Sequence, residues 1–388
     1  MSTSTEKRIR RALAQLDPTV GDLAGNADKI RRARAEARRL GCDLVVLSEL
    51  FLTGYPPEDL VRKPAFARAA RAVAETLAAE TGDGGPGVLF GTVWPEPAHG
   101  TDGEKVYNAV VLADAGRIAG VRFKVDLPNY GVFDEKRVFD AGPLPGPILF
   151  RGVRLGLPIC EDIWTDEVVE CLAESGAELL ISPNGSPFDW PKPDQRMNVA
   201  VARVTESGLP LIYLNQVGGQ DELVFDGASF ALNADRSLAA QLPAWQEAIV
   251  ATGWVKGDLG WRCEAGAKAV LPETEAAAYH ACMLGLRDYV DKNGFKSVVL
   301  GLSGGVDSAL VAALAVDALG PDRVHCVMLP YRYTSTASLD DARDCATSLG
   351  CRYDTVPIGP AVDGLVAMMA LKVISSSTRH FRISSSAS

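Results

Sequence analysis

Over the first 230 positions apolar residues arrive in short bursts: DLVVLSE (43–49), GVLFGTV (87–93), YNAVVLA (107–113), RIAGVRF (117–123), RLGLPI (154–159), ELLIS (178–182) and LPLIYLNQ (209–216). Such runs read as buried strands. Between them lie amphipathic stretches, one over 64–81 and another starting near Thr165, with Asp166 and Glu167 in its first turn and Gly176 behind it. Acidic residues at the start and glycine past the end are helix boundary signals. The alternation predicts an α/β layering. DAGR (114–117) and NADR (233–236) are hairpin signals, so some strands pair antiparallel and the sheet is mixed.

The rhythm is lost over 241–270, where Pro, Gly, Trp and charge mingle. This stretch is expected to be a connector between a domain spanning 1–240 and a second spanning 271–370. In the second, a helix over 272–293, the strand SVVLGL (297–302), a helix ending at Leu319 before Gly320, and the strand VHCVML (324–329) make a βαβ unit with parallel pairing. Ser338 and Asp341 resemble a capping box for a helix ending at Gly350, followed by YDTVPI (353–358). The last segment, 371–388, holds seven serines and no periodicity; it is expected to be an aberrant or disordered tail.

Composition narrows the function. The 388 residues are 47% apolar and 23% charged, which suits soluble cores rather than disorder. A net charge of -10 gives no electrostatic support to nucleic acid or anionic membranes as partners. The charged start lacks a signal-length apolar core and no run is long enough to span a bilayer. Eight cysteines without a CxxC pair look like reduced, intracellular usage; a cytoplasmic location follows. The four histidines, at 99, 280, 325 and 380, are isolated, so a transition-metal site is not expected.

Three polar residues sit where predicted strands end: Glu49, Lys124 and Cys160. Strand C-termini are where α/β proteins place ligand chemistry. A thiol beside an ammonium is expected to ionise readily, and a carboxylate in reach can shuttle the proton that an amide leaving group needs. Cys160 would be the nucleophile, Glu49 the general base and then acid, and Lys124 the partner of a tetrahedral oxyanion. Each residue alone could be a packing cysteine or a surface charge. The strings PICEDIW and FKVDLPNYGVFDEKRVF around them are not ones that core packing requires. A second site is marked by SGGVDS: Ser303, Gly304, Gly305, Val306, Asp307 and Ser308, between strand and helix. Small side chains, backbone N–H groups and a helix start suit a polyphosphate. The spacing is not that of a Walker loop, since no GK[ST] follows.

SELFLTGYPPEDL, KVDLPNYGVFDEKRVF, LPICEDIW, NGSPF and LNQVGGQDELVFDG, in that order and at these separations, resemble the blocks of the glutamine-dependent NAD synthetases. SGGVDS resembles the pyrophosphatase loop of the same family, followed here as there by MLPYRYTS. The resemblance covers roughly residues 8–370. It implies a nitrilase-like α-β-β-α sandwich followed by an incomplete doubly wound parallel-sheet domain of the adenine nucleotide alpha hydrolase type. It puts Glu49, Lys124 and Cys160 on the family's triad, with Glu135 as a supporting acid. Tyr130, Glu161, Ser186 and Lys192 fall where the family holds glutamine. The family's NASPF reads NGSPF here, which keeps the serine.

By this resemblance the substrates are glutamine, ATP and nicotinic acid adenine dinucleotide, with Mg2+ accompanying ATP and Asp307 as its candidate ligand. The protein would be a homo-oligomer. Ammonia freed at Cys160 would amidate the ATP-activated dinucleotide acid to NAD. The family's later arginine-rich and glycine–aspartate blocks have no counterpart after 370, which implies a C-terminally truncated chain with a competent glutaminase and a crippled synthetase. A stand-alone nitrilase-type amidase is the rival reading, against which SGGVDS speaks. A non-catalytic binding module is disfavoured by the triad. Asparagine or GMP synthetases fit poorly, since residue 2 is serine and no histidine is placed for a Cys–His pair.

Overall fold

In a computed structural model, which describes residues 7–97 and 103–374, the chain divides into two compact units, up to Lys292 and from Asn293. The first is built on two mixed sheets. One runs β15-β14-β1-β2-β3-β4-β5, from β1 (Lys7–Gln15), β2 (Leu44–Val46), β3 (Gly87–Pro97), β4 (Glu104–Asp114), β5 (Arg117–Phe123), β14 (Ala248–Gly257) and β15 (Gly260–Cys263). The other runs β13-β12-β9-β8-β7-β6, from β6 (Ile148–Phe150), β7 (Val153–Gly156), β8 (Leu179–Asn184), β9 (Leu211–Asn215), β12 (Phe230–Leu232) and β13 (Leu238–Gln241). Each has parallel strands in its middle and antiparallel pairs outside them.

Alternation along the strands builds four layers. Leu13, Leu44, Val46, Leu89 and Val110 of the first sheet meet Phe150, Leu155, Ile181 and Ile212 of the second in one buried core. The opposite faces take helices: Ala12, Val45, Phe90 and Val111 lie under α1 (Leu23–Arg39) and α2 (Pro64–Glu80), and Leu180, Leu211 and Tyr213 lie under α4 (Glu167–Glu174) and α5 (Lys192–Ser207). Ala27, Ile30, Ala33 and Ala37 give α1 an apolar stripe at helical spacing. Its start is fixed by Asp22, whose side chain accepts from the Gly25 N–H at 2.9 Å. This is the expected nitrilase-like α-β-β-α sandwich.

The hairpins at DAGR and NADR join β4 to β5 and β12 to β13. Ala115 and Gly116 both take positive φ, as a twisted two-residue connection requires. The expected connector over 241–270 is instead part of the sandwich. β14 pairs with β1 from Lys7↔Lys256 to Gln15↔Ala248, and β15 folds back on it. Those strands were obscured by half-buried, charge-bearing positions, yet they bury Trp254 and Trp261 in the inter-sheet core. β1 itself was hidden by the arginines of KRIRRALAQ.

The second domain does not begin at 271 as a packing unit. Helix α6 (Thr274–Lys292) lies on a hairpin of β10 (Val217–Gln220) and β11 (Leu223–Asp226) in the first unit. Asp288 Oδ2 accepts from Gly219 N at 2.6 Å, and Lys292 Nζ donates to Asp17 Oδ1 at 2.6 Å and Gly219 O at 2.7 Å. These bonds, together with buried Leu284, hold the helix to the sandwich.

The second unit carries β16 (Val298–Gly301), β17 (Val324–Met328) and β18 (Arg352–Thr355), all parallel, in the order β16-β17-β18. The crossovers are α7 (Val306–Leu319) and α8 (Thr336–Leu349). The cap of α8 is Ser335, whose side chain accepts from Ser338 N at 3.1 Å, so the helix starts one turn before the expected Ser338. A further helix, α9 (Gly359–Ile374), reaches past the expected domain end at 370. The remainder of the expected tail, and His99 and His380, lie outside the described residues. No helix among the described residues is long and apolar enough to cross a membrane.

One buried charge stands out. Arg11 is fully buried, its guanidinium nitrogens have no hydrogen-bond partner, and it lies 5.2 Å and 5.9 Å from the ring centres of Trp254 and Trp261. Burial pulls its pKa down to about 9. Exchanging buried ionic groups for apolar ones of similar volume is neutral or stabilising by roughly 1–4 kcal/mol. Arg11→Met is therefore expected to keep or raise the thermal midpoint; a clear fall would show that the ring contacts outweigh desolvation.

Candidate active site

Glu49 lies three residues past β2, in a turn that closes against β3. Gly91 N donates to Ser48 O at 3.0 Å and Leu52 N to Gly91 O at 3.0 Å. A Cβ on Gly91 would come within 2.0 Å of Leu50 N, so only glycine lets the turn approach this closely. Lys124 follows β5 directly, and its N–H donates to Asn108 O at 2.8 Å. Cys160 opens a short 3-10 turn, Cys160–Ile163, with φ of 47°. A left-handed non-glycine residue is strained and needs its surroundings to hold it.

These segments meet in one buried cluster. Lys124 Nζ donates to Glu49 Oε1 at 2.7 Å and to Glu135 Oε1 at 2.9 Å, and the three side chains are 0–5% exposed. Asn108 Nδ2 also donates to Glu49 Oε1 at 2.7 Å, Gly185 N to Glu49 Oε2 at 2.8 Å, and Tyr55 Oη to Glu135 Oε1 at 2.9 Å. Burial drags the Lys124 ammonium down, but Glu135 and Glu49 outweigh it and hold its pKa well above the ordinary lysine value. Burial pushes Glu135 up.

Cys160 is close enough to feel Glu49, Lys124, Glu161 and Glu135. Burial, followed by Glu49, pushes its thiol well above the ordinary range, and Lys124 only partly opposes this. The expected readily ionised thiol is thus corrected. The ammonium is already matched by two carboxylates and has little field left for the sulfur.

Of the other expected residues, Tyr130 and Glu161 come together: Tyr130 Oη donates to both Glu161 carboxylate oxygens, at 2.9 and 3.0 Å. Lys192, the first residue of α5, lies 4.4 Å from the ring centre of Trp164 and feels the charges of Cys160 and Glu161. Ser186 is buried, and its Oγ accepts from Arg196 Nε at 3.1 Å. Arg196 also holds Ser186 O, Pro187 O and both oxygens of Asp226, each at 2.7–2.8 Å.

Sequence reasoning missed Asn108, Tyr55, Asp162 and the Arg196–Asp226 pair. A polar residue inside YNAVVLA was the available signal for Asn108. Asp162 stood in PICEDIW as one of two acids after the cysteine. It is buried, and burial raises its pKa to about 7 against the pull of backbone N–H groups and Lys124. Nothing local in the sequence marks Arg196 as the partner of Asp226.

In the second unit Ser303 to Ser308 join β16 to α7. Ser303 N donates to Ser308 Oγ at 3.1 Å, and Ser308 Oγ to Gly305 O at 2.9 Å, which closes the loop on itself. Val306 and Asp307 are exposed in the first turn of α7. A cleft of about 410 Å³, lined by residues including Gly301, Ser303, Met328, Tyr333, Ser335 and Ser338, lies beside the loop. Among the described residues no group of three His, Cys, Asp or Glu side chains could hold a metal ion. The loop itself offers one carboxylate, Asp307.

A carbon-nitrogen hydrolase family model matches residues 10–254, and an NAD synthase model matches 278–378. A solved glutamine-dependent NAD+ synthetase from Acinetobacter baumannii, in complex with ADP, superposes with a TM-score of 0.86 at 34% identity, over 97% of this chain and 69% of that one. The chain belongs to the glutamine-dependent NAD(+) synthetase family. The family member from Rhodobacter capsulatus is 51% identical over 368 residues, which are 93% of this chain and 64% of that one. That from Xanthomonas campestris is 40% identical over 95% of this chain and 66% of its own length. The chain thus spans about two-thirds of these curated relatives. The sandwich alone resembles an amidase of Nesterenkonia sp. AN1, with a TM-score of 0.54 and 28% identity over 63% of this chain.

Two outcomes follow from the geometry. Because burial holds the Cys160 thiol neutral, its alkylation by iodoacetamide, followed on the Cys160 peptide by mass spectrometry, should keep rising above the free-thiol pKa of about 8.5. A plateau below pH ~8 would reveal a preformed thiolate instead. Gly304 has φ of 82°, and a Cβ there would lie 2.3 Å from Ser338 O. Gly304→Ala is expected to destabilise the second unit by at least roughly 1–3 kcal/mol, read as a lower unfolding midpoint; an unchanged midpoint would contradict the close approach.

Proposed function

We propose that the chain hydrolyses the side-chain amide of glutamine at Cys160 and delivers the ammonia for NAD formation. The observation that carries this reading is the buried Glu49–Lys124–Glu135 cluster beside Cys160, within the region matched by the carbon-nitrogen hydrolase family. Glu49 takes the proton from the neutral thiol as Sγ attacks the amide carbon. The oxygen that gains the negative charge is met by the Lys124 ammonium. Glu49 returns the proton to the departing nitrogen, which leaves as ammonia, and a thioester remains. Water, deprotonated by Glu49, then attacks the thioester carbon, releasing glutamate and restoring the thiol.

Glu135 keeps Lys124 charged and pinned by its 2.9 Å bond. Tyr130, Glu161, Ser186 and Lys192 would hold the amino and carboxylate groups of glutamine. The Tyr130–Glu161 pair is exposed enough at Tyr130 to admit a substrate.

The second unit would bind ATP through Ser303, Gly304, Gly305, Val306, Asp307 and Ser308, in keeping with the ADP complex of the A. baumannii relative. ATP would adenylate the carboxylate of nicotinic acid adenine dinucleotide, releasing pyrophosphate, and ammonia would displace AMP to give NAD. With one carboxylate in the loop, a magnesium ion would take most of its oxygen ligands from phosphate and water, with Asp307 alongside. Its charge would offset that of the phosphates. The reading also takes the protein as cytoplasmic and homo-oligomeric.

In Cys160→Ala, glutamate release from glutamine should fall by ~10³-fold or more. ATP-dependent NAD formation from added ammonium chloride should match the parent chain, because that half does not use the sulfur. Glutamate release that survives the substitution would overturn the nucleophile assignment.

A further inference from the structure

Lys124 and Cys160 come from different sheets, and their relative position has to be set by something other than a shared strand. Lys124 follows β5 of one sheet, and Cys160 follows β7 of the other. The side-chain hydrogen bonds of Lys124 run to Glu49 and Glu135, not to the segment that carries the cysteine.

Beside the side-chain pairs Tyr130–Glu161 and Thr165–Asp126, Asp162 joins the two segments through backbone on both sides. Asp162 Oδ1 accepts from Val125 N at 3.0 Å and from Asp126 N at 2.8 Å, the two residues that follow Lys124. Its Oδ2 accepts from Ile159 N at 2.9 Å, the residue that precedes Cys160. The Asp162 N–H donates to Ile159 O at 3.0 Å, so the turn that holds Cys160 is closed from both directions. The carboxylate is 1% exposed, so water does not compete for these bonds. Only a carboxylate accepts at both oxygens without presenting a donor. Three N–H groups, from the segments that follow β5 and β7, therefore converge on one buried carboxyl group, and the one on the Cys160 side belongs to Ile159, directly before the residue at φ of 47°.

We infer that Asp162 is a positioning residue for amide hydrolysis, whose carboxylate ties the backbone after Lys124 to the backbone before Cys160 and so sets the sulfur against the ammonium. It does not touch the substrate. This inference rests on the function proposed above and adds to it the group that fixes the register between nucleophile and oxyanion partner. An amide at 162 would turn its NH2 toward at least one backbone N–H, opening that side of the bracket. Displacement of a reacting group by ~1 Å costs ~10²-fold in rate.

The test is glutamine hydrolysis by Asp162→Asn in the full chain, with turnover expressed per site labelled by a diazoketone analogue of glutamine. Expected is a loss of ~10²-fold in kcat per labelled site, with KM for glutamine changed less than ~3-fold and the number of labelled sites kept. A purely structural role would instead lower the number of labelled sites and leave each remaining site at full kcat. That result, or a rise in KM at constant kcat, would overturn the inference. Should Asp162→Asn not fold, Asp162→Glu keeps both acceptors on a longer arm and is read in the same way. Cys160→Ala, run alongside, separates the two levels: if it is inactive while the Asp162 variants are fully active, the bracket is wrong and the nucleophile stands; if it is active, the nucleophile assignment itself falls.

Discussion

The site depends on one ammonium held between two buried carboxylates. Lys124 reaches Glu49 at 2.7 Å and Glu135 at 2.9 Å where water cannot screen them. Removing one member of such a group strands the others and costs about 3–5 kcal/mol. The cluster is tolerated because nearly every lone pair is used: Asn108, Gly185 and Tyr55 donate to the same carboxylates. The chemical consequence is that positive charge near the sulfur is largely spoken for. Burial and Glu49 push the Cys160 thiol well above its ordinary range, so in the proposed reaction a base would take its proton at the moment of attack. Glu49, which shares the cluster, is the base that the proposed reaction assigns.

The sandwich explains how such distant residues meet. Strands of both sheets end on the same side of the core, so the turn after β2, the residue after β5, the turn after β7 and the loop after β8 converge. The side chains that hold them together are buried polar groups contacting backbone. Arg196 clamps the loop at Ser186, and Asp162 joins the segments at 125–126 and 159. Buried polar groups that are fully bonded fix one arrangement at the expense of alternatives.

Much of this was legible in the chain and some was not. The strands that bury one face against each sheet, such as YNAVVLA and ELLIS, declared themselves by apolar runs, and DAGR declared its hairpin by turn chemistry. Glu49, Lys124 and Cys160 could be picked out because each follows a strand. β1, β14 and β15 escaped because arginines and half-buried positions interrupt their alternation, and tertiary pairing overrides so weak a local pattern. Helix α6 was read correctly as a helix but assigned to the wrong unit, since the Asp288 and Lys292 bonds that dock it join residues far apart in sequence. The state of the thiol was misjudged for a similar reason: a neighbouring lysine is visible in sequence, but the two carboxylates that occupy it become evident only in three dimensions.

In the proposed reaction the thiol, its carboxylate base and the amide substrate would converge on a single covalent species, a γ-glutamyl thioester. Acid quenching during turnover with glutamine, followed by peptide mass spectrometry, observes it directly. The adduct is expected on the peptide containing Cys160 and on none of the other seven cysteines. Its absence under steady turnover, or its appearance on a different cysteine, would contradict the assignment of Cys160 as the group that attacks the amide.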